Sequence, residues 1–393
     1  MSGIGVQPGV AFAFTEEQEL IRQTVREFVE REVKPQAAKI DQTGVMPPAL
    51  IARAKDLGLF GMAFPEEYGG AGAGEIGYCI QMEELSHGCN SLAGIIGASA
   101  SITAMTIYLA GNEAQKKKYL GALCGGGKIG AYALTETTGG TDAAMLRTTA
   151  DKKGAEYVLN GDKVWITNAD IAGLMVVFAL TDKNLRAHGG ISAFIVETPC
   201  AGLRVGPPDE KLGLHAMHSP QVFLDNVRVP EENLIGKAGD GFKYAMMALD
   251  RGRLSLAANC VGQAKEMLNL SIEYANQRMA FGKPIAEQGM IQKYLAEMAA
   301  KIYAMESMVY RTAWMCDAGM RFSREAAIVK FTCTEFVDDI IDTALQIHGG
   351  MGYMRELPIE RFYRDTRVQR IFEGTNEIQR VITARDLSKK GRY

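Results

Sequence analysis

The sequence lacks the patterns that mark several large classes of protein. Its 393 residues include five histidines and seven cysteines, and the cysteines are scattered without a C-x-x-C pair. We therefore predict no metal site, no disulfide framework and a reducing compartment. The cytoplasm is the expected location, with a processed mitochondrial protein as the alternative. The 43 basic and 46 acidic residues give no excess of positive charge, which argues against nucleic-acid binding.

Uncharged runs are also scarce, and only one reaches the length of a membrane span. Residues 88–112 contain no Asp, Glu, Lys or Arg, and a run of that length can cross a bilayer. It is, however, rich in small residues that let helices approach closely, among them Gly94, Gly97, Ala98, Ser99 and Ser101. We therefore predict a buried helix of a helical bundle and no membrane span.

Hydrophobic periodicity divides the chain into three zones and predicts an α+β protein. Residues 1–128 are predicted to form a helical domain, whose first helix begins with the capping-box pair Thr15 and Gln18. Residues 129–238 are predicted to form a small β barrel or sandwich. Residues 239–393 return to helical spacing and predict a four-helix bundle. Its helices are expected at residues 242–278, 290–317, 324–348 and 368–389.

The middle zone contains runs rich in branched and aromatic residues. Residues 174–180, 191–196 and 221–229 are predicted to form strands. Asn160-Gly161 favours the tight turn of a hairpin, which would pair residues 157–159 with residues 164–167. In that hairpin Trp165 and Thr167 would lie on one face of a strand.

Three segments are candidates for chemistry. The Gly- and Thr-rich residues 131–142 can bring backbone amides close to a ligand, although such loops are often simple turns. Trp165 with Thr167 would suit a planar redox cofactor, the alternative being a core Trp and a surface Thr. Glu373 follows Phe372 and precedes Gly374, so desolvation there would raise its pKa and make it a stronger base. Its alternative is a solvated charge on a loop.

Together with residues 249–253, 278–284 and 346–350, these segments follow one another in an order and spacing that resemble the acyl-CoA dehydrogenase family. The resemblance extends from about residue 15 to residue 389. It implies the acyl-CoA dehydrogenase fold, non-covalent FAD, and a homotetramer arranged as a dimer of dimers. It further implies a role in fatty acid β-oxidation, with an electron-transfer flavoprotein as the electron acceptor.

The resemblance also implies which residues contact the ligands, and it places Thr167 near flavin N5. Arg278, Phe281, Gln346 and the glycines that follow would reach the FAD of a neighbouring subunit. The implied FAD contacts are Tyr132, Leu134, Thr135, Thr141, Trp165, Thr167, Arg278, Phe281, Gln288, Gln346, Gly349, Gly350, Thr375 and Glu377. The implied acyl-CoA contacts are Thr141, Asp250, Arg253 and Gly374.

The implied reaction converts an acyl-CoA to the trans-2-enoyl-CoA. Glu373 would remove the α proton, flavin N5 would accept the β hydride, and the Glu373 N–H with a ribityl hydroxyl would stabilise the thioester oxygen. The other position used for a base in this family is Gly252 here, which cannot act. Arg253 would help to fix the loop of the base. Short, branched, alicyclic and aromatic acyl groups all stay open.

Some positions depart from the family pattern. Thr137, Gly139 and Thr141 stand where the family usually has Pro, Ala and Ser, and Gly289 stands in place of a Gln. The last change weakens a side-chain contact with FAD at that point. Three other functions share the resemblance: an enoyl-CoA reductase, an oxidase that uses oxygen, and a non-catalytic protein that binds acyl-CoA or flavin.

Overall fold

A computed structural model describes residues 13–391 of the chain. Helices form the N-terminal part, and the first begins as predicted, because the Thr15 hydroxyl accepts from the Gln18 N–H at 3.2 Å and the Gln18 side chain accepts from the Thr15 N–H at 3.0 Å. The helices are α1 Glu16–Phe28, α2 Lys34–Thr43, α3 Pro48–Asp56, α4 Gly74–Ser86, α5 Asn90–Gly97, α6 Met105–Ala110 and α7 Glu113–Cys124.

The uncharged run forms a buried helix, as expected. Helix α5 continues through a wider π-helical segment, Ala98–Ala104, into α6. Within residues 13–391, Asn90–Ala110 is the one helix long and apolar enough to cross a membrane, and 72% of its apolar window is buried inside the protein. The helix packs against the sheet and against the C-terminal bundle, so it occupies the interior between the other two parts.

An eight-stranded sheet forms the middle of the molecule and confirms the strands predicted at 174–180, 191–196 and 221–229. Strand β1 lies parallel to β4, and the remaining strands follow the order β6-β7-β3-β2-β4-β5-β8. The strands are β1 Gly130–Ala133, β2 Thr149–Lys153, β3 Glu156–Lys163, β4 Leu174–Leu180, β5 Ile191–Glu197, β6 Leu203–Val205, β7 Val222–Pro230 and β8 Leu234–Ile235. All seven residues of β4 are buried.

The predicted hairpin at Asn160-Gly161 is wrong. Strand β3 runs straight through these residues and pairs with β7, and its true hairpin partner is β2. Gly161 absorbs a β-bulge at φ +148°, while the Asn160 side chain accepts from the Asn226 N–H at 2.8 Å. Long cross-strand pairing therefore overrides the local turn preference. Consequently Trp165 and Thr167 lie on a loop after β3, and Trp165 has a left-handed φ of +57°.

The C-terminal part is a helical bundle, as predicted, and completes the α+β architecture. Its first three long helices are confirmed, but the helix predicted at 368–389 is wrong at its start. The chain makes a short 3₁₀ turn and then a loop, in which Glu373 and Gly374 both have positive φ, before the last helix begins. The elements are α8 Gly241–Gln277, β9 Met279–Ala280, β10 Lys283–Pro284, α9 Gly289–Asp317, α10 Ser323–His348, α11 Gly350–Tyr353, α12 Ile359–Thr366 and α13 Asn376–Lys390.

Candidate active site

The loop between α12 and α13 carries Glu373 in an unusual backbone conformation. Glu373 has φ +56° and Gly374 has φ +89°. A left-handed φ is uncommon for a glutamate and is maintained only where surrounding contacts determine it. Gly374 tolerates that region because it has no Cβ atom. The loop, which we call the base loop (residues 372–375), therefore presents its carboxylate in a geometry that a continuous helix would not allow.

Side chains from two other helices and from α13 hold the base loop by its carbonyl groups. Arg253 Nε of α8 donates to the Glu373 carbonyl at 3.2 Å, and Lys330 Nζ of α10 donates to the Gly374 carbonyl at 2.9 Å. Gln379 Nε2 donates to both carbonyls, at 3.3 and 3.0 Å. Arg253 is itself fixed by Asp250, whose Oδ1 lies 2.7 Å from Nη1. The consecutive carbonyls of the loop are thus fully engaged.

Lys330 and Gln379 were not found from the sequence. Both are buried, and Lys330 Nζ also donates to Asn376 Oδ1 at 2.8 Å. A signal was available, because Lys330 interrupts a face of α10 otherwise formed by Ala327 and Cys333, whose side chains are buried. A lone lysine on an apolar helical face needs a buried acceptor.

The Glu373 carboxylate has no hydrogen-bond partner on one of its oxygens. Oε2 is buried, and within residues 13–391 nothing donates to it. Desolvation raises the pKa of Glu373 to about 7, while the positive charges of Arg253 and Lys330 act in the opposite direction. A carboxylate with a pKa near neutral and a free lone pair is suited to accept a proton from carbon.

Gly252 leaves the space that this carboxylate occupies. A Cβ atom at residue 252 would lie 2.5 Å from Glu373 Oε2 and 2.8 Å from Ile102 Cγ2. No side chain fits there without displacing the carboxylate or the α5–α6 helix. The glycine therefore brings the backbone of α8 against the base, and Ile102 lines the same space from the uncharged helix.

On the sheet side, residues 132–135 leave β1 beside the bundle. Tyr132 is buried, its hydroxyl donates to the Ala245 carbonyl at 3.3 Å, and burial raises the pKa of its phenol. The charges of Arg253 and Glu373 also act on the pKa of the Tyr132 phenol, in opposite directions. Leu134 is buried and Thr135 is partly exposed.

A buried ion pair beneath this loop was also missed. Lys163 Nζ lies 2.7 Å from Glu136 Oε1 and 3.1 Å from the Leu134 carbonyl, and both charged side chains are buried. Glu136 additionally accepts from the backbone N–H groups of Arg147 and Thr148, at 2.6 and 3.1 Å. The pair fixes residues 134–136 to the end of β3, two residues before Trp165.

Trp165 and Thr167 follow this anchor on an open loop. The Trp165 side chain is large, apolar and 64% exposed, so it lacks a covering partner within the described chain. Thr167 Oγ1 lies 3.3 Å from Ser219 Oγ. Thr141 lies on an exposed turn of the preceding segment. An exposed indole beside hydroxyl groups fits one face of a flat aromatic ring system.

Of the remaining candidate residues, Thr375 belongs to the base loop, and the others lie at the ends of bundle elements. Phe281, at the tip of the β9–β10 turn, is 96% exposed with φ +51°, and Gln288 Nε2 is buried without a hydrogen-bond partner within residues 13–391. Open space faces the Cβ positions of Gly349 and Gly350. Arg278, Gln346 and Glu377 are exposed, and Thr375 is partly so. These features fit a partner group such as FAD, whose contacts with them stay a prediction.

One cluster within residues 13–391 has metal-ligand spacing, namely Glu83, Glu84 and His87. Its carboxylates already have cationic partners. Lys265 Nζ lies 2.7 Å from Glu83 Oε1, and Arg26 donates to both oxygens of Glu84. The cluster is therefore an ion-pair network that joins α1, α4 and α8.

Comparison with known proteins decides the family. The family descriptions of the acyl-CoA dehydrogenase N-terminal, middle and C-terminal domains match residues 15–127, 131–227 and 239–388. The chain belongs to the acyl-CoA dehydrogenase family. Like other acyl-CoA dehydrogenases it is an oxidoreductase that depends on FAD. The fold and the cofactor predicted from the sequence are confirmed.

Two curated relatives align with nearly the whole chain. The acyl-CoA dehydrogenase is 40% identical to the mitochondrial short-chain specific acyl-CoA dehydrogenase of Rattus norvegicus, over 96% of this chain and 91% of the relative. It is also 40% identical to the acryloyl-CoA reductase (NADH) of Anaerotignum propionicum, over 96% of both chains.

Solved structures share the whole fold. A chain in a structure of the electron transferring flavoprotein of Acidaminococcus fermentans matches with a TM-score of 0.94 and 39% identity, over 96% of this chain and 99% of that one. An acyl-CoA dehydrogenase of Bacillus anthracis complexed with FAD matches with a TM-score of 0.90 and 39% identity, over 96% of this chain and 68% of that one.

Proposed function

We propose that this acyl-CoA dehydrogenase oxidises an acyl-CoA thioester to the trans-2-enoyl-CoA, with Glu373 as the base that removes the α proton. The observation that carries the proposal is the buried, unpaired Oε2 of Glu373 on a loop with left-handed backbone. The raised pKa of about 7 means that the Glu373 carboxylate binds a proton more tightly than an ordinary glutamate does.

The residues around Glu373 have separate roles in the proposed reaction. Arg253, Lys330 and Gln379 hold the base loop so that the carboxylate does not have to be ordered during the reaction. The Glu373 N–H donates to the thioester oxygen and stabilises the negative charge that develops there. FAD, when bound, supplies the acceptor for the β hydride. Trp165 and Thr167 are the residues of this chain proposed to lie against its ring.

The proposed substrate is a short acyl-CoA. Ile102 packs where the acyl chain would pass the carboxylate, and it comes from the buried helix that continues into α6. The relative with a short-chain specificity supports the same range. Thr141, Asp250, Arg253 and Gly374 are proposed to contact the acyl-CoA, whose long CoA portion supplies binding energy for orientation at the reacting carbons.

The proposed assembly is a homotetramer, a dimer of dimers, that delivers electrons to an electron-transfer flavoprotein. The Phe281 side chain is almost fully exposed, and open space faces the Cβ positions of Gly349 and Gly350 at the end of α10. Both observations support a subunit contact near the FAD site. The match to a chain in a structure of an electron transferring flavoprotein supports the electron acceptor.

An anaerobic titration of the purified holoenzyme tests the reaction. Acyl-CoAs with acyl chains of three to eight carbons, with branched and aromatic analogues, are added while the flavin absorbance is followed. We expect full bleaching with a short straight chain and slower bleaching as the chain lengthens. Absence of bleaching with every acyl-CoA contradicts the proposal, and the same panel under air detects an oxidase by peroxide formation.

A second candidate keeps the site and reverses the reaction. The identity with an acryloyl-CoA reductase that uses NADH favours this alternative over the other ones. Glu373 would then donate the proton to the α carbon, which its pKa near 7 equally allows. Oxidation of NADH by the holoenzyme with acryloyl-CoA, with and without an added electron-transfer flavoprotein, separates the two directions.

A further inference from the structure

Lys330 is the one lysine of the bundle that reaches the base loop, within residues 13–391. Its side chain is completely buried in the middle of α10. Nζ has two acceptors, the Gly374 carbonyl at 2.9 Å and Asn376 Oδ1 at 2.8 Å, and both belong to the segment that carries the base. Neither acceptor is a carboxylate, so the ammonium is hydrogen-bonded without a direct counter-ion.

Burying an ammonium in this way costs stability, and a hydrophobic residue of similar size would avoid the cost. The charge therefore needs a reason other than packing. Asn376, which accepts from Lys330, is in turn held by Thr334, whose Oγ1 lies 3.0 Å from Nδ2. The network continues to Glu335, whose Oε1 accepts from Asn376 Nδ2 at 3.3 Å. It holds the N-terminus of α13 and thereby the loop that precedes it.

We propose that Lys330 is a positioning residue for the catalytic base: its ammonium holds the base loop by the Gly374 carbonyl and places a positive charge near the Glu373 carboxylate. The proposal rests on the assignment of Glu373 as the base. Lys330 does not touch the reacting atoms, and it acts only through the loop and through its electric field.

The charged groups around the pair agree with this role. Lys330 faces Glu373 and Glu377 from the base-loop side, and Arg253 and the Cys260 thiol from α8. Burial lowers the pKa of Lys330 to about 8, and the Glu373 charge is the largest influence that raises it. Glu373 faces Arg253 and Lys330 as cations. The phenols of Tyr78 on α4 and Tyr132 on β1 face it as neutral groups.

The two cations have separable tasks. Arg253 bonds the Glu373 carbonyl and belongs to the proposed acyl-CoA contacts, whereas Lys330 bonds the next carbonyl and lies behind the loop. Lys330 is not itself a proposed acyl-CoA contact, although it bonds the carbonyl of Gly374, which is one. We therefore expect its removal to change substrate binding less than proton abstraction. Because the cation favours the ionised carboxylate, its loss should raise the pKa of Glu373 further.

The test follows the rate of anaerobic flavin bleaching by the best acyl-CoA against pH, for wild type, Lys330→Gln and Lys330→Met. Rates are expressed per bound flavin, so unfolded protein does not contribute. We expect the acid limb of the pH–rate profile to move up by about one pH unit in both variants. At pH 7 this lowers the rate about fivefold, because the ionised fraction of Glu373 falls from about one half to about one tenth. KM should stay close to that of wild type. Lys330→Gln, which keeps a donor, should retain more of the plateau rate than Lys330→Met.

Lys265→Met is the matched control. Lys265 is also a largely buried lysine of the bundle, but it pairs with Glu83 and Glu306 and does not contact the base loop. The acid limb of the Lys265→Met variant should coincide with that of wild type. If Lys330→Met does not retain FAD, Lys330→Gln carries the test alone. If the acid limbs of both Lys330 variants have the same midpoint pH as the wild type, the proposal is overturned.

A direct titration makes the result independent of turnover. The infrared carboxyl band of Glu373, assigned by its absence in Glu373→Gln, reports protonation of that side chain in the holoenzyme. We expect its midpoint to rise in Lys330→Gln, and an unchanged midpoint overturns the role of Lys330. Failure of the wild type to bleach with any acyl-CoA contradicts the proposed function instead, so the two failures are distinguishable.

Discussion

Two glutamate–lysine combinations flank the proposed site, and they differ in one contact. On the sheet side, Lys163 binds the Glu136 carboxylate directly at 2.7 Å. On the bundle side, Lys330 binds the backbone of the base loop and leaves the Glu373 carboxylate without a partner on Oε2. Both lysines are completely buried, and burial lowers the pKa of each to about 8.

The difference separates an anchor from a reactive group. The direct contact and two backbone N–H donors lower the pKa of Glu136 despite its burial, so it stays ionised to a lower pH than an ordinary glutamate. Glu373 receives the positive charge at a distance, and desolvation raises its pKa to about 7. The same two residue types therefore provide a structural ion pair where they touch and a tunable base where they do not.

The largest expected effect comes from removing the base. Glu373→Gln should keep FAD and acyl-CoA binding while the rate of flavin bleaching falls by about 10²–10⁴, the range that a general base contributes. Glu75→Gln is the control, because Glu75 is also buried with a pKa raised to about 7, but Arg251 binds it at 3.1 Å. A large loss in the Glu75 variant, or a near-normal rate in the Glu373 variant, would reverse the assignment.

The next effect concerns the anchor. Lys163→Met leaves the Glu136 charge buried without its cation, and breaking a buried pair in this way costs about 3–5 kcal/mol. Urea unfolding of the variant should show this loss together with weaker FAD retention, since residues 134–136 and 163–167 are joined by the pair. Lys152→Met, at an exposed pair with Glu231, should leave the urea midpoint close to that of wild type, because solvent screens an exposed pair. Equal losses in the two variants would show that the buried pair has no special role.

A smaller effect is expected where α8 meets the carboxylate. Gly252→Ala places a methyl group 2.5 Å from Glu373 Oε2, and overpacking of this kind costs about 1–3 kcal/mol, or a rate loss of about 5- to 150-fold if it falls on the base. Gly121→Ala on α7 is the control, because open space faces its Cβ position. The bleaching rate of each variant is the measurement, and a wild-type rate for Gly252→Ala would mean that the base is elsewhere.

Much of this arrangement could be predicted from the sequence, for physical reasons. Apolar periodicity identifies α8, α9 and α10 and the buried strands, since their burial depends on local spacing. The predicted hairpin at Asn160-Gly161 is wrong because β3 pairs with β7, a strand distant in sequence, and this pairing outweighs the turn preference. The sequence did not predict the break before α13, because side chains from outside the loop, those of Arg253, Lys330 and Gln379, stabilise the left-handed conformation of Glu373.

The site itself divides in the same way. Glu373 and Gly252 could be found because neighbouring residues and a family resemblance mark them. Lys163 and Lys330 could not be found in that way, since each becomes significant only through an acceptor distant in sequence: Glu136 lies 27 residues from Lys163 and Gly374 lies 44 residues from Lys330. A buried lysine on an apolar face signals that an acceptor exists, but the fold decides which one.

The smallest expected effect concerns the pH dependence of stability, which should have opposite signs for Glu373 and Glu136. The folded-state pKa of Glu373 is raised to about 7, so its stabilising contribution is complete below about 4.5 and is lost as the pH rises through 7. The folded-state pKa of Glu136 is lowered, so its contribution is complete above about 4.5 and is lost as the pH falls through the folded value.

Urea midpoints between pH 4 and 8, at fixed protein and FAD concentrations, should therefore separate the variants. Relative to Glu373→Gln the wild type should lose stability as the pH rises, and relative to Glu136→Gln it should gain stability over the acidic part of that range. Slopes of the same sign would mean that the two carboxylates lie in equivalent environments, and the contrast between anchor and base would fail.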